Sequence, residues 1–289
     1  MTTKFIAGLS EIVGDYDLFL LDLWGVVHNG MTLYPKVADC LHELLHMNKR
    51  VVLLSNAPRP GHAVSEEILK YGVMPDLYSE IITSGDLTQA ALRRRDDNWH
   101  ARLGRYYFHL GPARSKSLLE GIDGEAVAID EAEYLLVSGV FDDETEQAED
   151  YRGFLQECVA RDLPLVCANP DKIVMKGENI IPCAGAVADL YEELGGKVAR
   201  HGKPYPDAYE TALRHADGIA LDRSIMVGDT FHTDIAGGRG VGMSTLWIAG
   251  GVHMEEVRNN DGQMDLKKAS EVIANSGERP TFASFSLAW

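Results

Sequence analysis

Asp22 ends the apolar run Asp17-Leu-Phe-Leu-Leu-Asp22, and Ser55-Asn56 end a second one, Arg50-Val-Val-Leu-Leu-Ser55. Lys203 lies in His201-Gly-Lys-Pro204, while Asp229 and Asp234 lie in Gly228-Asp-Thr-Phe-His-Thr-Asp234. A carboxylate is a competent nucleophile, a hydroxyl and an ammonium can hold phosphoryl oxygens, and further carboxylates can ligate a hard cation. Together these side chains suit magnesium-assisted phosphoryl transfer. Taken singly, each is also what a turn or a helix cap uses: an Asp after an apolar run, Ser-Asn before Pro58, a Gly-Lys-Pro turn, a Gly-Asp-Thr cap. Their order along the chain is the specific signal, because open α/β sheets bind ligands beyond the carboxyl ends of their strands.

The elements that must position them alternate. The run from Asp17 is apolar on successive residues, as in a strand buried on both faces. Val37, Cys40, Leu41, Leu44 and Leu45 then fall on one face of a helix, and the second apolar run follows it. A strand-helix-strand crossover of this kind implies a parallel sheet. The alternation continues with a helix near His62–Tyr71 ended by Gly72, a strand at Ile81–Ser84 and a helix from Asp86 to Arg95. Apolar segments recur at Tyr106–Leu110, Ala126–Ile129, Tyr134–Val137 and Leu163–Ala168, with helical stripes at Tyr151–Val159 and Val187–Leu194. Strands are expected again at Ser224–Gly228 and Ser244–Ala249, and the tail 275–289 reads as a loop whose aromatic residues dock on the body. The expected fold class is α/β, a doubly wound parallel sheet.

Composition narrows the function. With 27 Lys plus Arg against 44 Asp plus Glu, the formal charge is −17, which repels polyphosphate backbones and anionic membrane surfaces. Neither nucleic acid nor membrane is an expected partner. No apolar run reaches the roughly 18 residues of a membrane span, and the N-terminus lacks the core of a signal peptide. Cys40, Cys158, Cys167 and Cys183 form no Cys-x-x-Cys pair and no zinc spacing, so free thiols in a reducing cytoplasm are expected.

With these motifs the chain resembles the haloacid dehalogenase (HAD) superfamily, in the class that carries an α/β cap between its second and third motifs. Asp22 with Gly25 and Val26 matches the first motif, Ser55 the second, Lys203 the third, and Gly228-Asp229 through Asp234 the fourth. Ser84-Gly-Asp86, Ala168-Asn-Pro-Asp171 and Gly202-Lys-Pro204 match class-typical segments. The likeness to the sugar and nucleotide phosphatases of that class extends over essentially the whole chain. It implies a Rossmann-like core made of residues 1–102 and 189–289, with a smaller α/β cap at 103–188. It also implies a small phosphorylated substrate, Asp22 as the nucleophile that becomes an aspartyl phosphate, and Ser55, Asn56 and Lys203 at the phosphate. Mg2+ would be held by Asp22, Asp229 and the backbone carbonyl of Trp24, with Asp234 acting directly or through water. A cap-mediated homodimer agrees with the resemblance.

One position departs from the pattern. The phosphatases of this family carry a second aspartate two residues after the nucleophile, as general acid and base, and here that residue is Trp24. An indole does neither job. His28, six positions after Asp22, is a candidate replacement, its alternative being a plain loop histidine. Trp24 itself either stacks on a substrate or packs as a core aromatic. Two further functions stand beside the phosphatase: a silent phosphate-binding or regulatory protein, which Trp24 favours, and a dehalogenase-like hydrolase, which the extra carboxylates disfavour. Asn169-Pro170-Asp171 is either a cap loop facing the site or an ordinary turn.

Overall fold

The computed structural model describes residues 2–177 and 179–289. Strand β1 (Lys4–Phe5) is followed by β2 (Leu18–Leu21), α1 (Val37–His46), β3 (Arg50–Ser55), α2 (Gly61–Lys70), β4 (Glu80–Thr83) and α3 (Ser84–Arg94). An inserted stretch then builds β5 (Tyr106–Leu110), β6 (Glu125–Ala126), β7 (Tyr134–Val137), α4 (Arg152–Ala160) and β8 (Leu165–Cys167). It continues with β9 (Ile173–Lys176), β10 (Asn179–Pro182), α5 (Ala184–Glu193) and β11 (Val198–Arg200). The chain returns through α6 (Pro206–Arg214), β12 (Ser224–Gly228), α7 (Ala236–Gly240), β13 (Ser244–Ile248), α8 (Met254–Val257), α9 (Leu266–Ser276) and β14 (Phe282–Ser284).

Seven strands pair in the order β1-β14-β13-β12-β2-β3-β4, every pair parallel. The two-residue period of a strand explains why the central runs are apolar throughout. Phe19, Leu21, Val51 and Leu53 point to the face covered by Val37, Leu41, Leu44, Val64 and Ile68 of α1 and α2. Leu18, Leu20, Val52 and Leu54 point to the other, covered by Leu87 of α3 and by Ala208, Tyr209 and Ala212 of α6. Helices on both faces make this the doubly wound sheet that the alternation implied. Thr83 and Asp86 form a capping box at the start of α3, so the Ser84-Gly-Asp86 segment is a helix start that also receives the Gly61 N–H at 3.0 Å.

The insert forms a second parallel sheet, β11-β8-β7-β5-β6, with its own core around Leu135, Val137, Leu155, Leu165 and Val187. The expected cap boundary at residue 188 falls inside α5 and needs correction. Alpha-helix α5 packs on this second sheet, and β11 pairs with β8 as far as Arg200. The apolar stripe of a helix does not say which sheet it covers, and β11 is three half-buried residues without an apolar run. The tail is also more than a docked loop. Phe282–Ser284 insert as a strand between β1 and β13, and Leu287 and Ala288 are buried. A three-residue strand is too short to announce itself by periodicity.

Two linkers join the sheets, 95–105 and 201–205, and they touch: Nε2 of His100 and Nε2 of His201 lie 3.0 Å apart, both rings buried. The antiparallel hairpin β9-β10 reaches back from the insert, and the Gly177 N–H donates to the Asn29 carbonyl at 2.9 Å.

Candidate active site

The carboxyl ends of β2, β3 and β12 meet at one place. Asp22 follows β2, Ser55 ends β3, and Asp229 follows Gly228 at the end of β12. Carboxylate oxygens of Asp22, Asp229 and Asp234 lie within 4.8 Å of one another, all three side chains buried. Each is anchored by its own surroundings. The Val252 N–H donates to Asp229 Oδ2 at 2.8 Å and the Thr230 hydroxyl to Oδ1 at 3.1 Å. Asp234 Oδ2 accepts the Thr230 N–H at 3.1 Å. The hydroxyl of Tyr209 on α6 donates to the Thr233 carbonyl at 2.9 Å, fixing the turn that presents Asp234. Gly25 sits at φ 81°, where a side chain is strained, and a Cβ there would run into the Asp229 carboxylate.

Lys203, 1% exposed, places Nζ 2.6 Å from Asp22 Oδ1 and 2.7 Å from Asp234 Oδ1. The second contact is an ion pair off the hydrogen-bonding direction, and Asp234 Oδ1 has no hydrogen-bond partner. Burial would lower the Lys203 pKa, but Asp22, Asp234 and Asp171 outweigh it and raise it. Burial raises the Asp22 carboxyl well above the usual range, with Lys203 opposing and Asp234 and Asp229 adding to the rise. Burial likewise pushes Asp229 up to about 7, reinforced by Asp234. Four carboxylates, Asp22, Asp171, Asp229 and Asp234, share one buried ammonium, so full ionisation leaves −4 + 1 = −3. That imbalance is relieved by protons on the carboxyls or by a further cation.

Asp22, Trp24, Ser55, Asn56 and Arg59 form one wall of a cleft. The facing wall comes from the second sheet: Arg114 and Ser115 beyond β5, Ser138 and Gly139 beyond β7, Asn169 and Asp171 beyond β8. The sheets therefore present their strand ends to each other. The cleft encloses about 50 Å3, far less than the several hundred Å3 of a typical small-molecule site. A smaller recess of about 20 Å3 opens between Asp22, Trp24, Gly25, Asp171 and Asp229, enough for roughly one ion or water.

Ser55 faces the cleft and its hydroxyl accepts the Ala57 N–H at 3.1 Å. Asn56, expected at the phosphate, has its side chain engaged elsewhere: Oδ1 accepts the Lys203 N–H at 2.7 Å, and Nδ2 donates to the Lys203 carbonyl at 3.1 Å and to Asp171 Oδ1 at 2.9 Å. It clamps the lysine's backbone and the inserted loop together. His28 is also corrected as a catalytic candidate. It is 1% exposed and absent from the lining of either cavity. Its ring lies between Trp24 and Tyr71, with centroids 5.2 Å away on each side. Nδ1 accepts the Gly30 N–H at 2.9 Å, and burial holds its pKa down to about 4. Trp24 is half-buried against the core and lines both cavities.

The Asn169-Pro170-Asp171 loop does face the site. Arg59, Arg114, Ser115, Ser138 and Asp143 were not singled out from sequence, although Ser138 directly follows β7 as Asp22 follows β2, and Arg114 and Ser115 lie in the turn beyond β5. Applying the strand-end rule to the inserted sheet would have found them.

Comparison with known proteins gives a consistent answer. Residues 19–125 match the haloacid dehalogenase-like hydrolase family and residues 200–275 a HAD-hydrolase-like family. A solved hydrolase of the haloacid dehalogenase-like family from Brucella suis 1330 superposes with a TM-score of 0.84 at 34% identity, covering 98% of this chain and 100% of that one. Chronophin from Bos taurus is 28% identical over 285 residues, 90% of this chain and 91% of its own. The ribonucleotide monophosphatase NagD of Escherichia coli K12 is 24% identical over 238 residues, 81% of this chain and 87% of its own.

Proposed function

The chain belongs to the haloacid dehalogenase-like hydrolases, and we propose that it is a magnesium-dependent phosphatase of a small phosphorylated metabolite, working through an aspartyl phosphate on Asp22. The observation that carries this reading is the convergence of Asp22, Asp229, Asp234 and Lys203 beneath a cleft that Asp22 itself lines. Relatives named as phosphatases, among them NagD and acid sugar phosphatases, support it.

The donor set fits magnesium. Three carboxylates supply hard oxygen ligands, Asp234 Oδ1 lacks a hydrogen bond, and the local charge is uncompensated. Asp22, Asp229 and Asp234 would hold the ion beside the Trp24 carbonyl, and when bound it would offset negative charge on the transferring group. The same carboxylates weigh against a dehalogenase, in which attack on carbon needs no cation. Asp22 attacks phosphorus, while Ser55 and Lys203 hold the phosphoryl oxygens as charge develops on them. Asn56 keeps Lys203 in register for that task. Among the described residues no helix is long and apolar enough to cross a membrane, and four buried free cysteines support a reducing, cytoplasmic setting.

The alternative reading, phosphate binding without turnover, rests on Trp24. Hydrolysis of an activated aryl phosphate separates the two, because a good leaving group needs little protonation. Activity is expected with magnesium, to vanish with a chelator, and to fall at least about 10,000-fold in Asp22→Asn, as when a nucleophile is removed. No activity above that variant, with magnesium still bound, would establish the silent reading.

A further inference from the structure

Each turnover of such an enzyme moves two protons, one to the departing oxygen and one from the attacking water. Trp24 cannot move either, and His28 lies outside the cleft. Among the described residues, two acidic side chains line both the cleft and the recess: Asp22 and Asp171. Asp22 is the nucleophile. Asp143 also lines the cleft but is buried in an ion pair with Arg114. Asp229 and Asp234 belong to the close group of three carboxylates, and Asp171 stands outside it.

Resting on the phosphatase reading, we propose that Asp171 is the general acid and base of this enzyme, supplied by the inserted sheet in place of the missing side chain at position 24. In the first step Asp22 forms a bond to phosphorus, the ester P–O bond breaks, and the departing oxygen takes the proton of the Asp171 carboxyl. The products are the alcohol, the aspartyl phosphate and the Asp171 carboxylate. In the second step water attacks that phosphorus and gives a proton to Asp171, the P–O bond to Asp22 breaks, and inorganic phosphate leaves. Both aspartates return to their starting states.

The surroundings of Asp171 suit the work. Asn56 Nδ2 donates to Oδ1 at 2.9 Å and holds the carboxyl in place. The backbone is fixed on both sides: the Asp171 N–H donates to Asn169 Oδ1 at 2.9 Å, and its carbonyl accepts the Gly185 N–H at 3.0 Å. The same carboxyl faces both the cleft and the recess beside Asp22, where the departing oxygen and the attacking water must pass. Because Asp171 arrives with the insert, the acid is in place only when the two sheets have closed over the substrate, and leaving-group protonation waits for closure.

The test compares an activated aryl phosphate with a simple alkyl phosphate, using the wild type and Asp171→Asn. If Asp171 is the acid, the substitution lowers kcat/KM on the alkyl ester by about 100- to 10,000-fold and on the aryl ester by less than about tenfold. The phosphoenzyme then accumulates on the aryl ester, as a burst of phenol before slow turnover, since the same residue serves the hydrolysis step. An equal loss on both esters overturns the proposal while leaving the phosphatase reading intact. A second measurement needs no variant: kcat/KM of the wild type is expected to change little with leaving-group basicity, and a steep decline from aryl to alkyl esters overturns the proposal even if Asp171→Asn does not fold. A wild type inactive on the aryl ester with magnesium removes both readings together.

Discussion

At the scale of single residues, the same side-chain type does opposite work according to what surrounds it. His28 looked usable from its spacing to Asp22, but its ring is enclosed between two aromatics and its Nδ1 is taken by the Gly30 N–H. Desolvation is the main reason its pKa falls to about 4, with Glu67 opposing and Arg59 assisting. The folded state therefore holds His28 neutral, whereas the unfolded chain protonates it below about 6.5. Its contribution is whole above that pH and is lost as pH falls toward 4, at about 1.4 kcal/mol per pH unit. His28→Gln, whose amide oxygen can still accept the Gly30 N–H, is expected to lose about 2 kcal/mol less than the wild type between pH 6.5 and 5. Denaturant melts at the two pH values check this. Turnover of the aryl ester should stay within about tenfold of the wild type, as befits a residue outside the proton-transfer path.

At the scale of elements, the strand ends carry the chemistry and the turns after them carry the constraints. Asp22, Ser55 and Asp229 were legible because each closes an apolar run, whereas the Thr83–Asp86 capping box starts α3 at Ser84, inside the segment that reads as the end of a strand. The turn after β2 is more exacting than its sequence suggests, since Gly25 must take a positive φ and leave room for the Asp229 carboxylate. Gly25→Ala is expected to weaken magnesium binding at least about tenfold, or about 1.4 kcal/mol, because Cβ pushes Asp229 out of the cluster. The readout is magnesium-dependent stabilisation in thermal melts, which should need correspondingly more metal. Elements β11 and β14 escaped sequence reading because Val198-Ala-Arg200 and Phe282-Ala-Ser284 are three-residue strands outside any apolar run, unlike the equally short β8 within Leu163–Ala168.

At the scale of the whole molecule, two parallel sheets turn their carboxyl ends toward each other, and the site exists only between them. The closed cleft has about 50 Å3, so substrates larger than a phosphoryl group are expected to enter when the sheets separate, as with other lidded active sites. The contact of hairpin β9-β10 with the Asn29 carbonyl offers a place to prevent that. Oxidising an Asn29→Cys, Gly177→Cys double variant should lower turnover at least about tenfold, with recovery on reduction. The four native cysteines are buried and do not compete for the bridge. Full activity of the oxidised form would mean that substrate reaches Asp22 without separation of the sheets.

The sequence alone determined the fold class and the alternation of strand and helix, and it pointed to Asp22, Ser55, Lys203, Asp229 and Asp234, because hydrophobic period and strand-end polarity are local properties. It also exposed Trp24 as a departure. Only the tertiary structure decided that Asn56 clamps Lys203, that His28 is enclosed away from the cleft, that α5 covers the second sheet and β11 joins its edge, and that Asp171 lines the cleft with Asp22. Those outcomes depend on which surfaces pack together, and a carboxylate 149 positions from Asp22 (171 − 22) comes to line the same cleft only because two separately built sheets face each other.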